Sequence, residues 1–238
     1  MLKKILIIAM VVAISTAAGL FYLFIQYNSK NTVEVAVAMD NKLFVSWQKI
    51  TVKEEEKNIS INITVPRVII PSNYDLEEKV NKAIMEYIEL LKNDFIFSVS
   101  TAAENNGEIN VLNIDTEILH ISPRLISLAF AAIEHLAGIK DDNPERTFLV
   151  FDLINEKLII EGNELFRDDL AWSKAVEIMK ASLLSNYQEI PSCDLLFAPK
   201  HNGLSASCIG EHLSITKDVP ISMIQEFIAP SFLSDIIK

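Results

Sequence analysis

The segment ISINITV, at residues 59–65, decides the fold class of this 238-residue chain. Its odd-numbered positions are all Ile or Val and its even-numbered positions are polar, so an extended chain buries one face and solvates the other. The polar run at residues 53–58 predicts a turn back to a strand at about residues 44–52, and Pro66 and Pro71 are expected to end this unit. The folded part of the chain therefore begins, in this interpretation, with an antiparallel hairpin.

The pattern that follows the hairpin is that of an amphipathic helix. Ser72 or Asn73 is the N-cap candidate, and Asp75 and Glu77 place acidic side chains in the first turn. Apolar residues then recur at helical spacing, at Leu76, Val80, Ile84, Tyr87, Ile88 and Leu91. This stripe has to pack on a partner, and the strands on either side of the helix can supply one.

Further strands and a second principal helix are predicted downstream. The predicted elements are strands at 110–121 and 124–134, a hairpin of 147–153 and 158–160 with its turn at Asn155 and Glu156, a helix at 168–185, two or three strands within 194–216, and a closing helix at 220–237. Strands occur in runs, and βαβ alternation is absent. The pattern indicates an α+β fold with a mostly antiparallel sheet and two principal packing helices.

The N-terminal segment is apolar. No charged residue stands between Lys4 and Lys30, and residues 5–25 are long enough, at about 1.5 Å per residue, to cross a hydrocarbon core of about 30 Å. We predict one transmembrane helix there, with a cleaved signal peptide and a buried core helix as the alternatives. By the positive-inside tendency Lys3 and Lys4 stay in the cytoplasm, so the rest of the chain is expected to be periplasmic or extracellular.

These predictions divide the chain into four parts. A cytoplasmic stub and membrane anchor occupy residues 1–30, and a tether occupies residues 31–42. The N-terminal half of the exported domain covers residues 43–144, with a hairpin, a helix and two strands. Its C-terminal half covers residues 145–238, with a hairpin, a helix, a strand pair and the closing helix.

The exported part is strongly acidic. The whole chain carries 21 Lys and Arg against 32 Asp and Glu, a net charge of −11. Residues 1–30 hold three lysines and no acidic residue, so the remaining 208 residues carry 18 basic and 32 acidic side chains, a net charge of −14. Nucleic-acid binders need clustered Lys and Arg to displace counterions, so this class is not expected, whereas long-range attraction favours basic partners.

A resemblance to a known domain begins at Ile126. The order ISLAF, then TFLVFDLINEKLIIEGNELF, resembles a strand, loop and hairpin in the extracytoplasmic domain of the lysozyme-sensing anti-sigma factor RsiV and in the non-catalytic region of the peptidoglycan deacetylase PdaC. The hairpin residues that carry the match are Phe151, Asp152, Leu153, Lys157, Leu165 and Phe166. The resemblance spans about residues 40–226 and implies a domain of unknown function whose role elsewhere is recognition.

Three departures from that family pattern change what is expected. Glu156 stands where the hairpin turn usually has Gly, although Asn155 can adopt the left-handed conformation of such a turn. His135 precedes an Ala-Gly pair instead of following it, which weakens the case for a ligand role of this box. Four residues precede the apolar segment, so the sigma-binding segment of an anti-sigma factor is not expected.

The residue pattern contains no catalytic constellation. The four His residues lack zinc-ligand spacing, so we expect neither an enzyme nor a metal or cofactor site. Glu134, His135, Asp141 and Asp142 form a candidate ligand loop, for which a solvated loop is the simpler interpretation. Asp152 is expected to support the hairpin turn.

The two cysteines, Cys193 and Cys208, lie 15 residues apart on neighbouring predicted strands. In an oxidising compartment the pair is expected to form a disulfide, worth about 3 kcal/mol on a chain-entropy argument. Two buried free thiols are the alternative.

Three functions are compatible with these features. The leading hypothesis is a membrane-tethered extracytoplasmic binding or sensor-like domain that recognises a cell-wall component or a protein such as lysozyme. An accessory of a cell-envelope hydrolase or deacetylase and a structural scaffold without a ligand are the alternatives. The sequence determines neither the ligand nor the oligomeric state.

Overall fold

The structure, a computed structural model, describes residues 37–39, 43–54, 58–101, 108–137, 145–159, 162–185, 192–210 and 213–237. The strands are β1 (Val37–Met39), β2 (Leu43–Glu54), β3 (Ile59–Ile69), β4 (Asn110–Ile121), β5 (Leu125–His135), β6 (Glu145–Asp152), β7 (Lys157–Leu158), β8 (Asp194–Lys200), β9 (Gly203–Gly210) and β10 (Leu213–Pro220). The α-helices are α1 (Tyr74–Thr101), α2 (Asp169–Leu183) and α3 (Pro230–Ile236), and 3-10 helices cover Gly162–Leu165 and Ile221–Met223.

Strands β1 to β7 form one sheet in chain order. Neighbouring strands are antiparallel, except that β3 and β4 run parallel. α1 is the crossover between these two strands, because a parallel pair needs a connection long enough to return the chain to the same end of the sheet. The predicted α+β class with a mostly antiparallel sheet is confirmed, whereas the expected absence of βαβ alternation is wrong for β3–α1–β4.

The first hairpin is longer than predicted. β2 and β3 pair antiparallel, and β3 continues through Pro66, opposite Trp47, as far as Ile69. The proline is tolerated inside the strand because β4 pairs with residues 59–63 of β3, so no second neighbour needs the missing N–H of Pro66. Val37–Met39, within the expected tether, pair with β2 as an edge strand.

Helix α1 begins at its predicted capping residue. The Asn73 side chain accepts a hydrogen bond from the backbone N–H of Leu76 at 3.1 Å, which selects Asn73 over Ser72 as the cap. The Tyr87 ring lies 5.0 Å from the Phe130 ring of β5. α1 and one face of the seven-stranded sheet enclose the first hydrophobic core, to which the helix contributes Leu76, Val80, Ala83, Ile84, Ile88 and Phe95.

Strands β8, β9 and β10 form a separate antiparallel sheet. This small sheet packs against the second face of the large sheet and against α2, and a second core forms among them. Leu125 and Val150 enter this core from the large sheet, and Ala198 and Leu204 enter it from the small one. Because β6 belongs to the large sheet, that sheet crosses the half-domain boundary expected after residue 144.

The closing helix is shorter than predicted. The region 220–237 contains the 3-10 helix Ile221–Met223 and then α3, which has Pro230 in its first turn. Proline is favoured in the first turn of a helix but breaks a helix interior, because it lacks an N–H and its ring clashes with the preceding turn. A continuous helix through Pro230 was therefore the wrong expectation.

The predicted membrane anchor, residues 5–25, lies outside the described residues. Within the ranges that the structure describes, no helix combines the length and the apolar character needed to span a membrane.

Candidate functional site

The hairpin of β6 and β7 is held by the buried carboxylate of Asp152. Its Oδ1 accepts hydrogen bonds from the backbone N–H groups of Ile154 (2.9 Å) and Asn155 (3.1 Å). Its Oδ2 accepts from the Asn155 side-chain amide (2.8 Å) and from Nη2 of Arg124 (3.3 Å). Burial raises the pKa of Asp152, but the hydrogen bonds from Asn155 and Ile154 and the charge of Arg124 outweigh it, so the net pKa lies below 3.8. This geometry agrees with the turn-supporting role expected from the sequence.

The left-handed residue of this turn is Glu156, with φ of 52°, and not Asn155 as the sequence suggested. Asn155 instead directs its side-chain amide to Asp152. A non-glycine residue in this region carries a strain of order 1–3 kcal/mol, which the hydrogen bonds to Asp152 offset.

A groove of about 530 Å³ lies between α1 and this hairpin. The helix residues that line it are spaced i, i+3, i+4 and i+7, which places them on one helix face. The lining side chains are Lys79, Lys82, Ala83 and Glu86 of α1, Phe151, Glu156, Lys157 and Leu158 of the hairpin, and Glu164 of the 3-10 helix. Sites for small ligands usually have volumes of about 300–1,000 Å³.

The rim of the groove carries three lysines and three glutamates. The ion pairs are Lys79 with Glu156, Lys157 with Glu164, and Lys82 with Glu86 at 3.7 Å. The hydrogen bond from Lys79 to Glu156 and the charge of that carboxylate raise the pKa of Lys79 above its usual value. Because these side chains are between about one-third and two-thirds exposed, the pairs contribute little to stability and can exchange partners with a charged ligand.

The apolar residues of this hairpin and of the segment that follows it contact both cores. Phe151 and Leu153 belong to the first core, and Leu165 and Phe166 belong to the second. The Phe166 ring lies 5.2 Å from the Trp172 ring of α2. The hairpin is therefore fixed on both sides while its Lys and Glu side chains face the groove.

The candidate ligand loop is described only in part. Glu134 and His135 are the last residues of β5 and pair with β4, whereas Asp141 and Asp142 lie outside the described residues. Neither Glu134 nor His135 lines the groove. In the described part of the chain, no group of three or more His, Cys, Asp or Glu side chains could hold a metal ion.

Cys193 and Cys208 lie at disulfide distance, with their Cα atoms 5.4 Å apart. Cys208 is fully buried in β9, and Cys193 directly precedes β8. The pair therefore links the start of β8 to the second core.

Sequence reasoning assigned no role to His120, which is only 7% exposed in β4. The register between β4 and β5 shifts between Ile118 and His120, so the strand has a bulge at Leu119. The sequence contained an indication of this bulge, because two consecutive apolar residues at 118–119 interrupt the alternation of apolar and polar residues just before His120. This residue lies away from the groove, beside α3.

No protein-family model matches this sequence, and no curated protein matches it. Its fold is similar to that of a DUF3298 family member from Bacteroides fragilis, with a TM-score of 0.53, 10% identity, and coverage of 87% of this chain and 99% of that one. It is also similar to a DUF3298 family protein from Pseudomonas aeruginosa PAO1, with a TM-score of 0.51, 11% identity, and coverage of 85% and 96%. DUF3298 is a domain of unknown function, so these similarities show a shared fold alone.

Proposed function

We propose that this chain is an extracytoplasmic binding domain, anchored through residues 5–25, whose groove takes a short peptide of the cell wall. The observation that carries the proposal is the groove itself, with an apolar floor and a rim of paired Lys and Glu side chains. The sequence resemblance to the extracytoplasmic domains of RsiV and PdaC supports a recognition role.

The chemistry of the rim favours a ligand that carries both charges. Peptides of the cell wall present ammonium and carboxylate groups a few bonds apart, and each can replace one partner of an exposed ion pair. Lys82 and Glu86 are well suited, because their side chains are 71% and 66% exposed and lie one helical turn apart. The apolar floor at Phe151 and Leu158 can take the aliphatic part of such a peptide.

Calorimetric titration of the full-length chain in detergent micelles with purified peptidoglycan stem peptides tests this proposal. Lys82→Glu should weaken binding about tenfold, which corresponds to ~1.4 kcal/mol. Lys174→Glu is the matched control, because it makes the same charge change at an exposed position of α2 that does not line the groove. Absence of binding to the unsubstituted chain, or equal losses in both variants, contradicts the proposal.

A basic protein such as lysozyme is a second candidate, favoured by the net charge of −14 over residues 31–238. Attraction of this kind is long-ranged and screened by salt, with a Debye length of about 8 Å at physiological ionic strength. Binding of lysozyme should therefore weaken as salt is added and should respond similarly to Lys82→Glu and Lys174→Glu. A lack of binding at low salt eliminates this candidate.

A further inference from the structure

The C-terminal helix α3 is docked on the rest of the domain by polar contacts at both of its ends. Nη1 of Arg124 donates a hydrogen bond to the carbonyl oxygen of Ser231 (3.0 Å), and the guanidinium lies 4.0 Å from the centre of the Phe232 ring. The backbone N–H of Asn202 donates to the carbonyl oxygen of Ile236 (3.1 Å). Phe232 and Ile236 are buried, so detachment of α3 would expose both side chains.

His120 lies beneath this helix, 7% exposed, and donates a hydrogen bond to the backbone of Asp235. Its Nε2 is buried and finds no hydrogen-bond partner among the described residues. Directly opposite on β5 stands Ser127, which is fully buried and uncharged, and its Oγ makes no hydrogen bond to Nε2 or to any other group among the described residues. The neutral imidazole fits this environment, whereas an imidazolium would bury a second N–H without an acceptor.

Two titratable groups act on His120, one on α3 and one in the turn between β8 and β9, whereas its partner on β5, Ser127, carries no charge. The Asp235 carboxylate of α3 favours the imidazolium, and His201, in the turn between β8 and β9, opposes it. Burial is the largest effect and lowers the pKa of His120 below its ordinary 6.5.

We propose that α3 is a pH-dependent latch, docked while His120 is neutral and released when His120 takes up a proton. Release lets the ring reach water and separates it from the buried position that disfavours its charge. Because docking of α3 lowers the proton affinity of His120, uptake of a proton by His120 in turn weakens docking. The equilibrium constant for docking of α3 is therefore highest above about pH 6.5, and it falls by up to tenfold for each pH unit below that value.

Hydrogen exchange of the full-length chain in micelles, read by mass spectrometry, tests the latch. The reporting amides are those of Leu233 and Ile237, which donate hydrogen bonds to the carbonyl oxygens of Ala229 and Leu233; Ala229 and Ile237 are the capping residues of α3. After correction for intrinsic exchange, their protection should fall about tenfold between pH ~7.5 and pH ~5.5. Protection in α1 should stay unchanged, since α1 belongs to the first core.

Three variants separate the latch from general acid sensitivity. His120→Gln keeps a polar side chain that does not titrate, so protection of α3 should become independent of pH. His135→Gln, on the same sheet but away from α3, should keep the full acid response. Asp235→Asn removes the carboxylate that favours the imidazolium, so its acid response should be larger than in the unsubstituted chain.

The proposal is overturned if α3 protection does not change with pH, or if His120→Gln retains the acid response. It is also overturned if α1 loses protection together with α3, because that result indicates global unfolding. If His120→Gln does not fold, Asp235→Asn is compared with the unsubstituted chain. An acid response of α3 in Asp235→Asn that is equal to or smaller than that of the unsubstituted chain contradicts the latch.

Discussion

Replacing Asp152 with alanine removes a carboxylate that is fully buried and accepts four hydrogen bonds. The variant leaves two backbone N–H groups without their acceptor and Arg124, whose side chain is 15% exposed, without its counter-ion. Breaking a buried ion pair by removing one partner costs about 3–5 kcal/mol. Since small domains have a total stability of roughly 5–15 kcal/mol, Asp152→Ala should remove a large fraction of it.

Urea unfolding followed by circular dichroism measures this loss, and its pH dependence identifies the cause. The folded protein lowers the pKa of Asp152, so this carboxylate contributes stability above about pH 3.8 that is lost as the pH falls through the lower folded value. The difference between the unsubstituted chain and Asp152→Ala should therefore be large near neutral pH and should shrink in acid.

Asp94→Ala is the matched control, because Asp94 is exposed on α1 and its loss should change stability by no more than about 0.5 kcal/mol. If Asp152→Ala costs less than about 1 kcal/mol, or if its cost is the same in acid as at neutral pH, the buried carboxylate does not hold the hairpin by the contacts described.

Three further perturbations test the cores and the small sheet by thermal and urea unfolding. Reducing the Cys193–Cys208 pair, or replacing both residues with serine, should cost about 3 kcal/mol, because the bridge closes a loop of 15 residues. Phe130→Ala should cost about 3–5 kcal/mol, since the ring is fully buried in the first core. Gly203→Ala should cost about 1–3 kcal/mol, because a Cβ there would stand 2.5 Å from the carbonyl oxygen of Val219.

Each of these has a result that would contradict it. Free thiols in protein made in an oxidising compartment would show that the cysteines do not pair. The exposed Phe97 supplies the control for Phe130, and equal losses in the two alanine variants would show that burial is not the cause. Unchanged stability of Gly203→Ala would show that β9 and β10 can separate to admit a methyl group.

The bounds of elements that depend on residues close together in the sequence were predicted accurately. The strand expected at residues 110–121 is β4 with the same bounds, and Asn73 caps α1 as one of the two candidates. Asp152 supports the turn of its hairpin because an Asp accepts hydrogen bonds from the next few backbone N–H groups whatever the rest of the chain does. Pattern and short-range chemistry were enough for these features.

The candidate site could not be predicted in the same way. Its lysines and glutamates lie on α1 and on a hairpin some 70 residues later, as in the pair of Lys79 with Glu156. The sequence predicted a different ligand site, the loop that contains Glu134 and His135. These two residues lie at the end of β5 and do not line the groove. Charged exposed residues have no periodicity that indicates which distant element they face.

The sequence by itself determined most of the strands and helices, such as β4 and α1, and which face of each is apolar, because burial of one face imposes a period of 2.0 or 3.6 on the chain. The tertiary structure alone decided that β3 and β4 run parallel, that β6 and β7 complete the large sheet, and that α1 meets the hairpin along a groove. The periodicity of a segment indicates that one of its faces is buried, but it does not indicate which other element covers that face. The choice of partner and direction follows from how the two cores close together, a property of all the elements at once.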